Sequence, residues 1–225
     1  MNDVLRVRAP ATTANIGPGF DCAGAALELW NELELGPGNG TVDREHLGVR
    51  AFELLGLGIE LEGHGDNLAA ALAGGVCLTW GTRIARIADT TPATPIAVVP
   101  TARVDTQASR AALPPAVPHA DAAVSAGRAA LLGAALATSS ADLFAAALED
   151  RLHEPYRAES APLLAEIREH LPAAALGATL SGAGPTVIVW ARLGEEAACT
   201  DELRSRFPDE QVLPLAISQT GAGPT

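Results

Sequence analysis

The longest stretch without a charged side chain, residues 171–191, is long enough to cross a bilayer, yet it cannot be one continuous helix. Pro172, Gly177, Gly182, Gly184 and Pro185 interrupt it. Proline removes a backbone donor and glycine makes left-handed turns cheap. The pattern therefore resolves into a strand over 176–180, a glycine loop SGAGPT over 181–186 and a second strand over 187–191. Around this unit the second half alternates: a strand at 96–99, helices at 105–113, 120–137, after Ser139-Ser140, at 161–170 and at 195–207, then a strand at 212–217. Helices beside strands in this rhythm fit an α+β layer.

The first half reads differently. A strand over 4–9 is expected to stop at Pro10. Leu27, Leu29, Asn31, Leu33 and Leu35 fall on one period-2 face of a strand that ends at the turn GPGNG. Leu47, Ala51, Leu54 and Leu55 recur with helical spacing. Asp66 is placed to cap a short helix through Ala73, which Gly74-Gly75 stops. Strands follow at 76–80 and 84–88, and the run DTTPATP over 89–95 is the natural linker. The expected domains are therefore 1–93 and 94–225. TGAGPT at the C-terminus echoes SGAGPT, which a glycine- and alanine-rich chain produces without duplication.

Composition narrows the function. Fifteen basic and 27 acidic residues give a net charge of −12, which argues against general affinity for nucleic acid or anionic membrane. Every basic residue is arginine, so Schiff-base chemistry and a P-loop lysine are excluded. Cys22, Cys77 and Cys199 are far apart and lack metal-site spacing. With no apolar stretch at the start, a reducing, cytoplasmic location is expected.

Three motifs occur in order: PATTANIGPGFDCAGAALELWNE, ELEGHGDN and LSGAGPT. With DTQASRAALP, PHADAAVSAGRAALL and HEPYRA, they make nearly the whole chain resemble the homoserine kinases of the GHMP kinase superfamily. The resemblance implies a two-domain GHMP-kinase-like α+β fold with a ferredoxin-like C-terminal domain. It also implies an activity: phosphorylation of the side-chain hydroxyl of L-homoserine with ATP and Mg2+, a step of threonine biosynthesis. One departure is large. The family's central P-x-x-x-G-L-G-S-S-A segment, whose amides wrap the ATP phosphates, is missing, and FELLGLG runs directly into IELEGHGDN. By resemblance the N-terminal domain is truncated by an internal deletion of about fifty residues, which removes the helix N-terminus that phosphoryl transfer relies on.

Individual residues follow the same comparison. Asn15 and Asp21 flank Gly17-Pro18-Gly19 and on their own read as turn residues. By resemblance both contact homoserine, Asp21 at the ammonium group. Arg110 and Arg157 match the arginines that hold the substrate carboxylate, a task suited to a planar bidentate donor. His64 matches a substrate-site histidine, and Glu60 the magnesium ligand. Asn67 and Thr106 match positions near the transferred phosphate, Thr106 doubling as a helix cap. Ser181, Gly182, Ala183 and Gly184 form the third motif, where glycine lets backbone approach a nucleotide closely. Three readings stay open: a kinase whose phosphate loop is otherwise supplied, an ATP-independent enzyme that reuses the amino-acid pocket, and a non-catalytic binding or partner subunit. Loss of an inner strand leaves exposed edges, and a homodimer is expected to cover them.

Overall fold

The computed structural model describes residues 5–35, 65–81, 83–101 and 106–224, which fall into two compact units. The first comprises residues 1–14, 21–90 and 217–225, and the second residues 15–20 and 91–216.

The first unit is built on an antiparallel sheet in the order β4-β3-β2-β1-β9. Its strands are β1 (Leu5–Ala14), β2 (Ala23–Leu35), β3 (Val76–Trp80), β4 (Arg83–Ala88) and β9 (Gly223–Pro224). β1 does not stop at Pro10. Pro10 lies opposite Trp30 and the next pair is Ala11 with Leu27, so Glu28 and Leu29 bulge out of the ladder. A bulge is one of the few places where a proline fits inside a sheet. The same bulge breaks the expected period-2 face of β2: Leu27 is buried, whereas Leu29 is 46% exposed. Helix α1 (Asp66–Ala73) packs close to β2 at Gly24, where a Cβ would lie 2.3 Å from the Asp66 carbonyl oxygen. Gly65, not Asp66, is its cap residue, and Asp66 instead accepts from the Asn67 amide. At the C-terminus the expected 212–217 strand divides. β8 (Gln211–Pro214) belongs to the second unit, whereas Ile217 bridges to Leu27 in the first.

The second unit orders its strands β6-β7-β5-β8, every neighbouring pair antiparallel. The elements are β5 (Thr94–Val99), α2 (Thr106–Ala111), α3 (His119–Thr138), α4 (Ala141–Ala147), α5 (Glu154–Arg157), α6 (Pro162–Glu169), β6 (Ala175–Leu180), β7 (Val187–Ala191) and α7 (Glu196–Arg206), then β8. This is the split β-α-β order of the ferredoxin-like fold, with several helices in the first crossover. Alternation along β7 sends Val187, Val189 and Ala191 into a core with Ile96, Ile167 and Leu203, while Trp190 meets Phe144 edge-on at 5.1 Å. All five β7 residues are buried, the reason its sequence is a continuous apolar run. Among the described helices α3 alone is long and apolar enough to cross a membrane, and its buried residues include Leu132, Ala135 and Leu136.

Candidate functional site

The second unit gathers its polar side chains around residues 15–20. Asn15, Ile16 and Gly17 have positive φ in succession (73°, 43° and 67°). A β-branched residue rarely adopts this backbone, and such strain persists where the surroundings impose it. Ile16 is fully buried, and a Cβ on Gly17 would meet the Leu148 carbonyl oxygen at 2.9 Å.

The short helix α5 owes its position to Asp150. That buried carboxylate accepts from the amides of Leu152 (3.1 Å), His153 (2.8 Å) and Glu154 (2.9 Å), satisfying donors that a helix start leaves open. Three polar residues of the segment are then sequestered: His153, Glu154 and Arg157 are each at most 3% exposed. Their spacing separates their tasks. Glu154 Oε1 accepts from the Leu180 amide (2.9 Å) and Oε2 from Arg168 Nη2 (2.6 Å). Burial pushes the Glu154 carboxyl above its ordinary range, against the opposing pull of Arg168 and the Leu180 amide. His153 and Arg157, four apart on one helical face, meet directly: Arg157 Nη1 donates to His153 Nδ1 at 3.0 Å.

Arg157 Nη1 also donates to the Gly182 carbonyl (3.1 Å), which accepts from Asn15 Nδ2 as well (2.9 Å). Ser109 of α2 donates to the neighbouring Ala183 carbonyl (3.2 Å). The loop also closes on itself, the Gly184 amide donating to Ser181 O. A Cβ on Gly182 would meet nothing within 4 Å, so the loop has an open face there. Phe20 completes the cluster. Its ring stacks on His153 at 4.9 Å, and the guanidinium carbons of Arg157 and Arg110 lie 5.5 and 5.9 Å from its centre. One guanidinium is buried and the other exposed, a pairing suited to a planar carboxylate at the surface.

Of the residues singled out from the sequence, the second unit thus joins Asn15, Arg110, Arg157 and the loop Ser181, Gly182, Ala183 and Gly184. Asp21 and Asn67 belong to the first unit. There Thr12 Oγ1 donates to Asn67 Oδ1 (2.7 Å), and Asp21, with φ 54°, sits beside Cys22. Thr106 is the first residue of α2, and its side chain lies outside the described residues, as do Glu60 and His64 altogether. Among the described residues no three His, Cys, Asp or Glu side chains group to hold a metal ion. The sequence reading missed Phe20, Ser109, Asp150, His153, Glu154 and Arg168. HEPYR held the available signal: four ionisable residues in five, around a proline that suits a first helical turn.

Comparison with known proteins gives the same direction. The family model described as GHMP kinases C terminal matches residues 122–209. Homoserine kinase of Streptomyces coelicolor is 35% identical, with 95% of this chain and 96% of that protein covered. Homoserine kinase of Gloeobacter violaceus is 32% identical, with 90% and 93% covered. The Streptomyces alignment runs over 297 positions, 72 more than the chain has residues, so at least that many face a gap. Among solved structures, a homoserine kinase from Cytophaga hutchinsonii has a TM-score of 0.85 at 20% identity, covering 100% of this chain and 98% of that one. A mevalonate kinase has a TM-score of 0.66 at 12% identity, covering 95% and 99%, and both show the shared fold.

Proposed function

The chain belongs to the homoserine kinase family, and on that premise we propose that it binds L-homoserine, with Arg110 and Arg157 on the substrate carboxylate. The observation that carries this reading is the cluster in which both guanidinium groups lie within 6 Å of the Phe20 ring, one of them fixed by His153 and Gly182. Charge-assisted, planar donors recognise a carboxylate with both strength and orientation. Asp21 is the proposed partner of the ammonium group and His64 a further substrate contact.

The reaction proposed is transfer of the γ-phosphoryl group of ATP to the side-chain hydroxyl. It gives phosphohomoserine and ADP, and the hydroxyl proton goes to solvent. Asn67 and Thr106 are the proposed neighbours of the transferred group. The open face at Gly182, within the loop Ser181 to Gly184, is the proposed approach for nucleotide. Glu60 is the proposed ligand of Mg2+, which would supply charge neutralisation at the phosphates. The lack of a P-x-x-x-G-L-G-S-S-A segment in the sequence supports a second reading, in which the amino-acid pocket is kept and transfer is slow or lost.

Calorimetry with L-homoserine tests the pocket. The parent chain should bind, and Arg157→Ala should weaken binding by about 2–5 kcal/mol, as for truncation of a buried charged partner. Arg110, being exposed, should matter less. No binding by the parent, or affinity indifferent to both substitutions, would remove the assignment.

A further inference from the structure

Resting on the amino-acid site just proposed, we infer that His153 is a positioning residue: its neutral ring holds the Arg157 guanidinium in place and ties it to residues 15–20. The tautomer follows from the partners alone. A carbonyl oxygen can only accept and a guanidinium can only donate. The Gly17 carbonyl lies 3.0 Å from His153 Nε2, so Nε2 carries the proton. Arg157 Nη1 lies 3.0 Å from Nδ1, so Nδ1 carries the lone pair. The ring is thus a directed bridge that donates toward the loop and accepts from the arginine.

Burial, stacking and a neighbouring carboxylate remove freedom from that bridge. His153 is fully buried, and Phe20 stacks on it with an interplanar angle of 19°. Asp150 Oδ2 takes the His153 backbone amide at 2.8 Å and lies 3.7 Å from Nε2, on the side of the ring that carries the proton. Arg157 has a long, rotamer-rich side chain, and fixing its planar head before substrate arrives lowers the ordering cost of binding. The Gly182 carbonyl fixes the same Nη1 from another direction, so two acceptors at 3.0 and 3.1 Å define where that nitrogen sits. His153 touches no reacting atom in this account and acts through Arg157.

Two substitutions separate its two bonds. His153→Asn places an amide oxygen near the position of Nδ1, keeping an acceptor for Arg157 while losing the reach to Gly17. His153→Gln reaches toward Gly17 with an amide donor and leaves no acceptor at Nδ1. A hydrogen bond to a charged group is worth enough that its loss should weaken L-homoserine binding about tenfold or more in the glutamine variant. The asparagine variant should stay within about threefold of the parent, because the arginine keeps its acceptor. Equal losses in both, tracking a common fall in melting temperature, would reduce His153 to a structural residue and overturn the proposal. So would the reverse ranking.

A second readout needs no ligand. Two-bond proton–nitrogen spectra of the parent should show one histidine locked with its proton on Nε2, assigned by its disappearance in His153→Asn. Arg157→Ala should release that signature. A parent chain that binds no L-homoserine would overturn the function proposed above, and the spectra would then decide the positioning role. A locked Nε2 proton that Arg157→Ala releases upholds it, and any other state overturns it.

Discussion

Glu154→Ala should be among the costliest single substitutions in the second unit, whereas Glu154→Gln should be nearly neutral. Truncation to alanine leaves the Leu180 amide without its 2.9 Å acceptor in a place where Leu180 is fully buried. An abandoned buried donor costs about 1–3 kcal/mol. It also removes the 2.6 Å partner of Arg168, whose side chain is 38% exposed, so water takes up most of that loss and it adds only about 0–1 kcal/mol. Together the change should cost about 1–4 kcal/mol. Glutamine keeps an oxygen for the amide and removes a charge from a site that disfavours charge, for a net effect within about 1 kcal/mol. Urea unfolding followed by far-UV circular dichroism measures both. An alanine variant within about 0.5 kcal/mol of the parent, or a glutamine variant as damaged as alanine, would refute the claim that Glu154 is held for its acceptor oxygen.

Two further expectations concern ionisation. The Glu154 carboxyl is raised mainly by burial, so the native state holds its proton more tightly than the unfolded chain does. Stability should therefore fall as pH rises from the ordinary carboxylate value through the raised one, and the parent should gain on Glu154→Gln as pH falls toward 4.5; a difference flat in pH would contradict this. The thiols should be sluggish: Cys22 is raised by burial and then by Asp66 and Asp21, Cys77 by burial against Arg86, and Cys199 by burial to about 11. In the native protein a thiol reagent should modify Cys22 slowly, and Cys77 and Cys199 only on unfolding; rapid reaction of a second thiol would contradict their burial.

Much of the fold was legible in the sequence because its signals are local. β3 and β7 fall residue for residue where the sequence places them: Gly75 and Gly81 bound the first run, and the Pro185-Thr186 turn and Arg192 bracket the second. The long helix α3 extends one residue beyond its expected span at each end. What stayed hidden depends on partners distant in sequence. Pro10 reads as a strand stop until Trp30 and Leu27 define a bulge opposite it. α5 has four residues, too few for periodicity, and it is fixed by the Asp150 carboxylate and by burial. His153 is unremarkable alone, and its meaning comes from Gly17, 136 residues earlier. Ile217 left the expected strand because its partner Leu27 belongs to the first unit.

The central claim is that this chain keeps a homoserine-binding cluster while lacking the segment that cradles the ATP phosphates. Loss of one preorganised donor typically costs about 10²–10³ in rate, and the missing segment would have supplied several. The direct measurement is phosphohomoserine formation by the pure 225-residue protein, beside a chimera with a family phosphate-loop segment inserted between Gly58 and Ile59. The account predicts turnover at least about a hundredfold slower for the unmodified chain, recovered in the chimera. Equal, rapid turnover by both proteins would show that the phosphates are held by other residues and would contradict it.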